Sequence, residues 1–513
     1  MSEQASYTTT FVVYFGAMLL IGGWCYRKNK DLSDYVLGGR SLNYWVTALS
    51  AMASDLSGWL LLGLPGAAYL GGLGASWIIL GLFVGLYANW KFVAARLRDY
   101  SQRARDFTSG KEGDALTLSA YFENRFEDRT HLLRLISAVI IIVFFTIYVA
   151  SGLVAGGVLF ETVFGTSATF GVIVTGSVVV VYTFVGGFLA VSYTDSVQAV
   201  LMWGAVVVIP IATIALVGGF GPMADALSQR NPDLLSLVGN VSLADGKWTS
   251  AGSVSLVAIV SGLAWGFGYF GQPHILVRFM GIRSASEIPK ARRIGVTYGV
   301  TGMGAAVVLG LVGIAYFKQP LADPESVFLK LVQDIIPGWL AGLFLVGVLA
   351  AIMSTASSQL LVAASSLSED VYRRFFNRQA SGIHLLWVGR FVVLGVAIVA
   401  FLLALRGGSV LAIVAYAWAG FGAAFGMVLL ISLFWRKMNR VGAIAGMIGG
   451  GATVLIYKQL DTIGLYEMIP GVAVSLICIF VFNRLGAPPT SAMEEDFDDI
   501  AGRQRKGEPV GSP

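Results

Sequence analysis

The residues best suited to chemistry in this chain sit where polarity is expensive. Ala51-Met52-Ala53-Ser54-Asp55-Leu56-Ser57-Gly58-Trp59 lies inside an apolar run over about 42–70. Asp55 falls ~13 residues into that run, so ~20 Å deep at 1.5 Å per residue. That is near the middle of a hydrocarbon layer ~30 Å thick. An uncompensated carboxylate there costs a few kcal/mol or more. Ser54, Ser57 and Gly58, followed by Gly63, Pro65 and Gly66, weaken the helix around it. A break at this depth frees backbone carbonyls and half-helix ends. Such groups are tolerated only where they line a protected cavity, and in transporters they hold ions and substrates. The plainer alternative is a kinked span whose aspartate is paired for structural reasons.

Two further clusters can serve such a site. Ser354, Ser357 and Ser358, in an apolar run over about 337–367, are spaced i, i+3 and i+4 and share one helix face, with Thr355 beside them. Hydroxyls and carbonyls are hard oxygen ligands that suit an alkali cation. The alternative is that these hydroxyls only bond the preceding turn or a neighbouring helix. In the run over about 251–277, Gly266, Gly268 and Gly271 alternate with Trp265, Phe267, Tyr269 and Phe270, and Pro273 follows. Glycine and proline together predict an unwound stretch. As i, i+4 and i+8, Trp265, Tyr269 and Pro273 would share a helix face and wall a small ligand, or merely form a packing stripe. Asp195, near the start of a run over about 193–219, either caps that helix or reaches the serine face at 354–358.

The elements that must position these residues are membrane helices. Of 513 residues, 56% are hydrophobic and only 13% charged, a composition no soluble domain of that size carries. The 63 glycines suit close helix contacts. Apolar runs near 20 residues predict an all-α polytopic membrane protein with about thirteen spans. The transmembrane domain covers 1–485, and the polar stretch 486–513 reads as a disordered cytoplasmic tail. The Asp55 run is the second span and the Trp265 run the seventh. An odd offset inverts the second unit, so about 42–219 and 251–434 can be two inverted five-helix repeats, each opening with a broken helix. Paired interruptions of this kind are the best sequence pointer to a transport site.

Charge sets the orientation. With the N-terminus outside, all but six of the 35 lysines and arginines fall on the inner side; the six are Arg230, Lys247, Lys318, Lys330, Arg406 and Lys458. The C-terminus is then inside. The net charge of +5 does not indicate nucleic acid, because the basic residues are spread between apolar spans. No phosphate-binding G-x-x-x-x-G-K-[ST] loop is present, which argues against an ATP-driven pump. His131, His274 and His384 read as scattered at the inner ends of spans, with no metal-ligand spacing. Asp55 and Asp195 fall at different depths, which disfavours an aspartyl protease pair. A channel and a solute-gated sensor are the other classes; the stretch after residue 485 is too short for a kinase domain.

Taken together, Ala51–Trp59 with Leu64-Pro65-Gly66, Gly186–Asp195, Trp265–Pro273, Ala351–Ser358 and Ser368-Glu369-Asp370-Val371-Tyr372 resemble the sodium:solute symporter family, in its proline-transporting branch. The resemblance implies a LeuT-like core of two inverted five-helix repeats in a bacterial-type inner membrane. It implies a co-transported Na+ held by carbonyls of Ala53, Leu56 and Ala351 and hydroxyls of Ser354 and Thr355, with Asp55 coupling transport from near the ion. It implies an L-proline pocket at Ser57, Gly58, Tyr148, Trp265, Tyr269 and Pro273. A second sodium site would use Asp195, Ser354, Ser357 and Ser358. The function so implied is sodium-driven proline import by alternating access, not an enzyme activity. The alternatives are sodium- or proton-coupled symport of another small solute, or a non-transporting solute sensor.

Overall fold

A computed structural model describes residues 3–26, 36–103, 105–106, 111–112, 115–185 and 187–506. Arg27, Lys28 and Lys30 of the inner basic set, and Gly186, lie outside the described residues. The helices that matter for the site, in chain order, are α1 Glu3–Tyr26, α2 Tyr44–Asp55, α3 Leu64–Gly71, α4 Ser76–Ala88, α5 Leu132–Phe164, α6 Ala168–Val185 and α7 Phe188–Leu216. Then follow α8 Leu256–Ala264, α9 Pro273–Gly281, α10 Ile288–Tyr316, α11 Gly338–Ser365, α12 Gly382–Ala404, α13 Val410–Phe421 and α14 Met427–Phe434. Last come α15 Arg440–Leu460, α16 Met468–Asn483 and α17 Ser491–Lys506. Among the described residues, nine helical stretches are long and apolar enough to cross a bilayer, and three shorter apolar ones accompany them.

Local chemistry sets the breaks. Asn43 caps α2, its side chain accepting from the Trp45 and Val46 amides at 3.0 Å each. The helix stops after Asp55, because Leu56 leaves helical geometry at φ −85°, ψ 73°. A widened turn over Trp59–Gly63 follows and runs directly into α3 at Leu64, with Pro65 in its first turn. In the second half, α8 gives way at Trp265 to a tight 3₁₀ stretch through Gly271. Gln272 is extended, and Pro273 begins α9. Both predicted interruptions therefore form.

The glycines of the second interruption have a packing role. A Cβ on Gly266 would lie 2.3 Å from the Gly81 carbonyl oxygen of α4, and one on Gly85 would lie 2.1 Å from the Gly266 carbonyl oxygen. On the other side, Gly268 meets the Trp418 indole and Gly271 the Phe421 carbonyl. The unwound stretch is thus held backbone to backbone.

Two bundles result. α2, α3, α4, α8, α9 and α10 pack together, and so do α5, α6, α11 and α12. α7 touches both, packing on α2, α10 and α11, and α13 packs on α5. α1 lies against α11 and α7.

Several expectations are corrected. The run expected to begin at about 193 begins earlier, at Phe188 after Gly187, so Asp195 lies two turns inside α7 rather than near its start. The loop before α8 carries a hairpin, Gly239–Ala244 paired with Lys247–Ser253, which the apolar pattern did not reveal. The tail is not structureless. Met493, Phe497 and Ile500, at i, i+4 and i+7, put an apolar stripe on α17, with Met493 and Ile500 buried. Arg436 pairs with Glu494 at 3.2 Å and Asp498 at 2.9 Å, and the Arg125 guanidinium lies 5.5 Å from the Phe497 ring centre.

The close approach of α4 predicts a contrast. Gly85→Ala should destabilise the protein by about 1–3 kcal/mol through overpacking. Gly304→Ala on α10, which meets nothing within 4 Å, should be neutral or stabilising by up to about 1 kcal/mol. Thermal unfolding of the two purified variants side by side checks this; equal shifts would contradict the packing argument.

Candidate functional site

Three polar centres lie along the seam between the bundles. The first joins α2 to α11. Ser354 Oγ donates to the Ala53 carbonyl at 2.7 Å and lies 3.2 Å from the Ala351 carbonyl. Thr355 Oγ1 donates to the same Ala53 carbonyl at 3.2 Å. Ser354 and Thr355 are both buried. Leu56, at the end of α2, has a ψ that turns its carbonyl off the helix direction. Four neutral oxygens, two from hydroxyls and two from carbonyls, thus meet across the seam with no carboxylate among them. A small monovalent cation is the ligand such a set fits, because each hydroxyl can turn a lone pair toward it while the carbonyls already converge.

The second centre joins the two interruptions. Tyr269 Oη donates to Asp55 Oδ2 at 2.8 Å. The backbone carbonyl of Asp55 accepts from the Ser57 amide at 3.0 Å and from Trp59 Nε1 at 3.2 Å. Among the described residues, Asp55 Oδ1, Tyr148 Oη and Gln272 Oε1 are buried without a hydrogen-bond partner. They are three of several such buried atoms, and of these they are the ones at the two interruptions, where a polar ligand could satisfy them. Aromatic rings wall it. Trp59 and Trp265 lie 6.4 Å apart, Trp265 stacks on Tyr466 at 5.4 Å, and Tyr269 meets Trp418 edge-on at 5.1 Å. Trp418 Nε1 donates to the Trp265 carbonyl at 2.8 Å. The Tyr148 ring meets His274 edge-on at 5.9 Å. Gly58 faces Ala155 and Ile352, with a Cβ there only 2.9 Å from the Ala155 methyl.

The third centre surrounds Asp195. Its Oδ2 accepts from Ser50 Oγ at 2.7 Å, from Arg278 at 3.1 Å and from Ser358 Oγ at 3.4 Å. All four residues are fully buried.

The sequence-predicted residues are therefore sorted as follows. Ala53, Ala351, Ser354 and Thr355 converge, and Asp55 meets Tyr269. Asp195 reaches the serine face of α11 rather than capping a helix. Ser354 faces Ala53, however, and Ser357 Oγ donates at 3.2 Å to the Ser354 carbonyl in its own helix. Only Ser358 of the three serines touches Asp195. The shared face expected of Trp265, Tyr269 and Pro273 does not form, because α-helical spacing does not apply to a 3₁₀ stretch with three residues per turn. Trp265 turns to Tyr466, Tyr269 to Asp55. Ser50, Gln272, His274, Arg278 and Trp418 were missed. Ser50 had a visible signal, lying at i−4 from Ser54 on the same face. His274 and Arg278 read only as inner-end residues; both are fully buried in the protein, on the α9 helix that restarts at Pro273. Asp370, in the Ser368–Tyr372 motif, anchors α11 instead of the site: it accepts from Thr117 Oγ1 at 2.9 Å and Arg134 at 2.8 Å.

Two interrupted helices facing one another inside a ring of apolar helices is the architecture of a secondary transporter. Comparisons agree. A family model described as the sodium:solute symporter family matches residues 35–450. The chain is 48% identical over 496 residues to the sodium/proline symporter of Escherichia coli K12, covering 95% of each chain. It is 47% identical to the high-affinity proline transporter PutP of Bacillus subtilis 168, covering 94% of this chain and 98% of that one. A solved structure of a Na+-coupled sialic acid symporter, in a substrate-bound outward-open state, superposes with a TM-score of 0.77 at 19% identity, covering 94% of this chain and 99% of that chain. It shares the fold of two inverted five-helix repeats. The chain belongs to the sodium:solute symporter family.

The Asp55–Tyr269 bond predicts a coupling. Tyr269→Phe leaves both Asp55 side-chain oxygens unpartnered, whereas Asp55→Ala with Tyr269→Phe removes both partners of the bond together. A double-mutant cycle on unfolding should give a coupling energy of about 0.5–3 kcal/mol, the range for a buried hydrogen bond. Additive effects would contradict the bond.

Proposed function

We propose that this protein is a symporter that uses the inward sodium gradient to import L-proline by alternating access. The observation that carries the reading is the cluster of Ala53, Ala351, Ser354 and Thr355 oxygens across the bundle seam, next to the aromatic-walled orphan atoms at Asp55 and Tyr148. The names of the relatives at 47–48% identity, a sodium/proline symporter and a proline transporter, supply the substrates.

In this reading one Na+ sits among the Ala53, Leu56 and Ala351 carbonyls and the Ser354 and Thr355 hydroxyls. It exchanges their mutual hydrogen bonds for ion–dipole contacts and so clamps α2 to α11. Proline lies beside it, bordered by Ser57, Gly58, Tyr148, Trp265, Tyr269 and Pro273. Its ring packs on the aromatic wall, while its amine and carboxylate meet the freed carbonyls and half-helix amides of the two interruptions. Asp55 lies between ion and substrate, held by Tyr269, and couples the two without ligating sodium. Sodium then favours the substrate-ready arrangement of the bundles, and substrate favours sodium in return. The transport domain extends to about residue 485 through about thirteen spans of the inner membrane. The N-terminus is outside and the C-terminus inside, because that choice leaves the basic residues on the cytoplasmic side.

The test is labelled L-proline uptake into proteoliposomes under an inward sodium gradient, an inward proton gradient or none. Transient accumulation above equilibrium with sodium alone is expected. Accumulation with protons alone, or none at all from folded protein, would overturn the coupling or the substrate respectively. Ser354→Ala with Thr355→Ala should raise half-saturating sodium by at least about tenfold, equivalent to about 1.4 kcal/mol. Tyr269→Ala should instead raise half-saturating proline. Sodium activation unchanged in the folded double variant would remove the ion-site assignment.

A further inference from the structure

A 3₁₀ helix is a poor way to carry seven residues. Its hydrogen bonds have worse geometry than those of an α-helix, and runs beyond about four residues are uncommon. Trp265–Gly271 nevertheless keeps that form over its whole length. Contacts from outside the run must therefore support it. On one side α4 packs against it; on the other, α13 bonds to it. Trp418 Nε1 donates to the Trp265 carbonyl at 2.8 Å, at the start of the run. Gln272, the residue that ends it, donates back from Nε2 to the Trp418 carbonyl at 3.3 Å and to the Gly268 carbonyl at 3.2 Å. One residue of α13 thus grips both ends of the run, with its side chain at the start and its backbone at the finish.

The middle of the run is held as well. The Tyr269 ring meets the Trp418 indole edge-on at 5.1 Å, and a Cβ on Gly268 would overlap that indole. Trp418 and Gln272 are both buried. One turn after Trp418, the helix itself widens over Gly422–Gly426. A Cβ on Gly422 would lie 2.9 Å from the Gly268 Cα, so the two irregular stretches fit backbone to backbone. The consequence reaches the pocket. The run carries Trp265 at its start and Tyr269, the partner of Asp55, in its middle. The pitch of the run sets how those two side chains are placed, and Trp418 holds the pitch.

We propose that Trp418 is a positioning residue for the substrate: a two-ended staple, completed by Gln272, that fixes the 3₁₀ pitch of Trp265–Gly271 and so the spacing of the Trp265 and Tyr269 walls of the pocket. The proposal rests on the proline-binding reading above and adds the groups that hold the pocket in shape. The oxygens assigned to sodium lie on α2 and α11, outside the staple. Loss of the staple therefore acts on substrate and not on the ion.

The experiment measures labelled proline uptake into proteoliposomes, and labelled sodium binding to purified protein, for the full chain, Trp418→Phe and Gln272→Met. Trp418→Phe keeps an aromatic ring and loses the N–H donor. Gln272→Met keeps the length and loses both donors. Each should raise half-saturating proline about three- to tenfold, the effect of one lost buried hydrogen bond. The maximal rate should not change, the pattern expected when substrate binding alone is weakened. Sodium affinity measured without proline should not move. Unchanged half-saturating proline in either folded variant overturns the staple, even if the melting temperature falls, because the contact is then purely structural. A parallel loss of sodium affinity also overturns it, as a general loosening of the fold. If Trp418→Phe does not fold, benzothienylalanine at position 418, which keeps the ring shape and lacks the N–H, replaces it with the same expected rise and the same overturning result. If Gln272→Met does not fold, the position 418 arm decides alone. Absence of saturable proline uptake in the unaltered protein would instead defeat the underlying functional reading.

Discussion

The structure depends on the meeting of two helices that cannot run through. The first stops at Asp55, the second unwinds at Trp265, and the Asp55–Tyr269 hydrogen bond holds the two interruptions against each other. In a membrane interior each freed carbonyl and amide must find a partner inside the protein or in a ligand. The chain meets most of that demand itself: Trp59 and Ser57 serve the Asp55 carbonyl, and Trp418 serves that of Trp265. Among the buried side-chain atoms left without a partner are Asp55 Oδ1, Tyr148 Oη and Gln272 Oε1.

From that constraint follow the polar centres of the seam. The bundles meet over a polar seam, and polar seams in low dielectric are held by charge. At the centre the partners are neutral oxygens, which suit an ion that must come and go. On the side of α9 the partner is an arginine, which cannot leave. A buried ion pair of this kind is weak evidence for net stability, because desolvation offsets much of its Coulombic gain.

Much of this was legible in the residues. Apolar run lengths located the helices, and glycine with proline located both interruptions, because those two residue types act on the backbone alone. The hydroxyl face of α11 was visible as i, i+3, i+4 spacing, since α11 is a regular helix there. Reading failed where regularity failed. Trp265 and Tyr269 were assigned one face by a 3.6-residue period that a 3₁₀ stretch does not obey. Arg278 reads as a flanking charge because it follows the apolar run, whereas in the fold the α9 helix that restarts at Pro273 holds it fully buried against α2, α7 and α11. The partnership of Trp418 with the Trp265 carbonyl had no sequence signal, being a contact across more than a hundred residues. The helix of the tail had one, its Met493, Phe497, Ile500 stripe, masked by high overall polarity.

The central claim is that ion and substrate stabilise one arrangement of the two bundles. The most direct test is equilibrium binding on the purified protein, measuring proline affinity with and without saturating sodium, and sodium affinity with and without saturating proline. Thermodynamic reciprocity requires the two enhancement factors to be equal, and the account predicts a common factor of about 5–150, typical of coupling worth about 1–3 kcal/mol. Proline affinity indifferent to sodium, in protein that binds both, would contradict it.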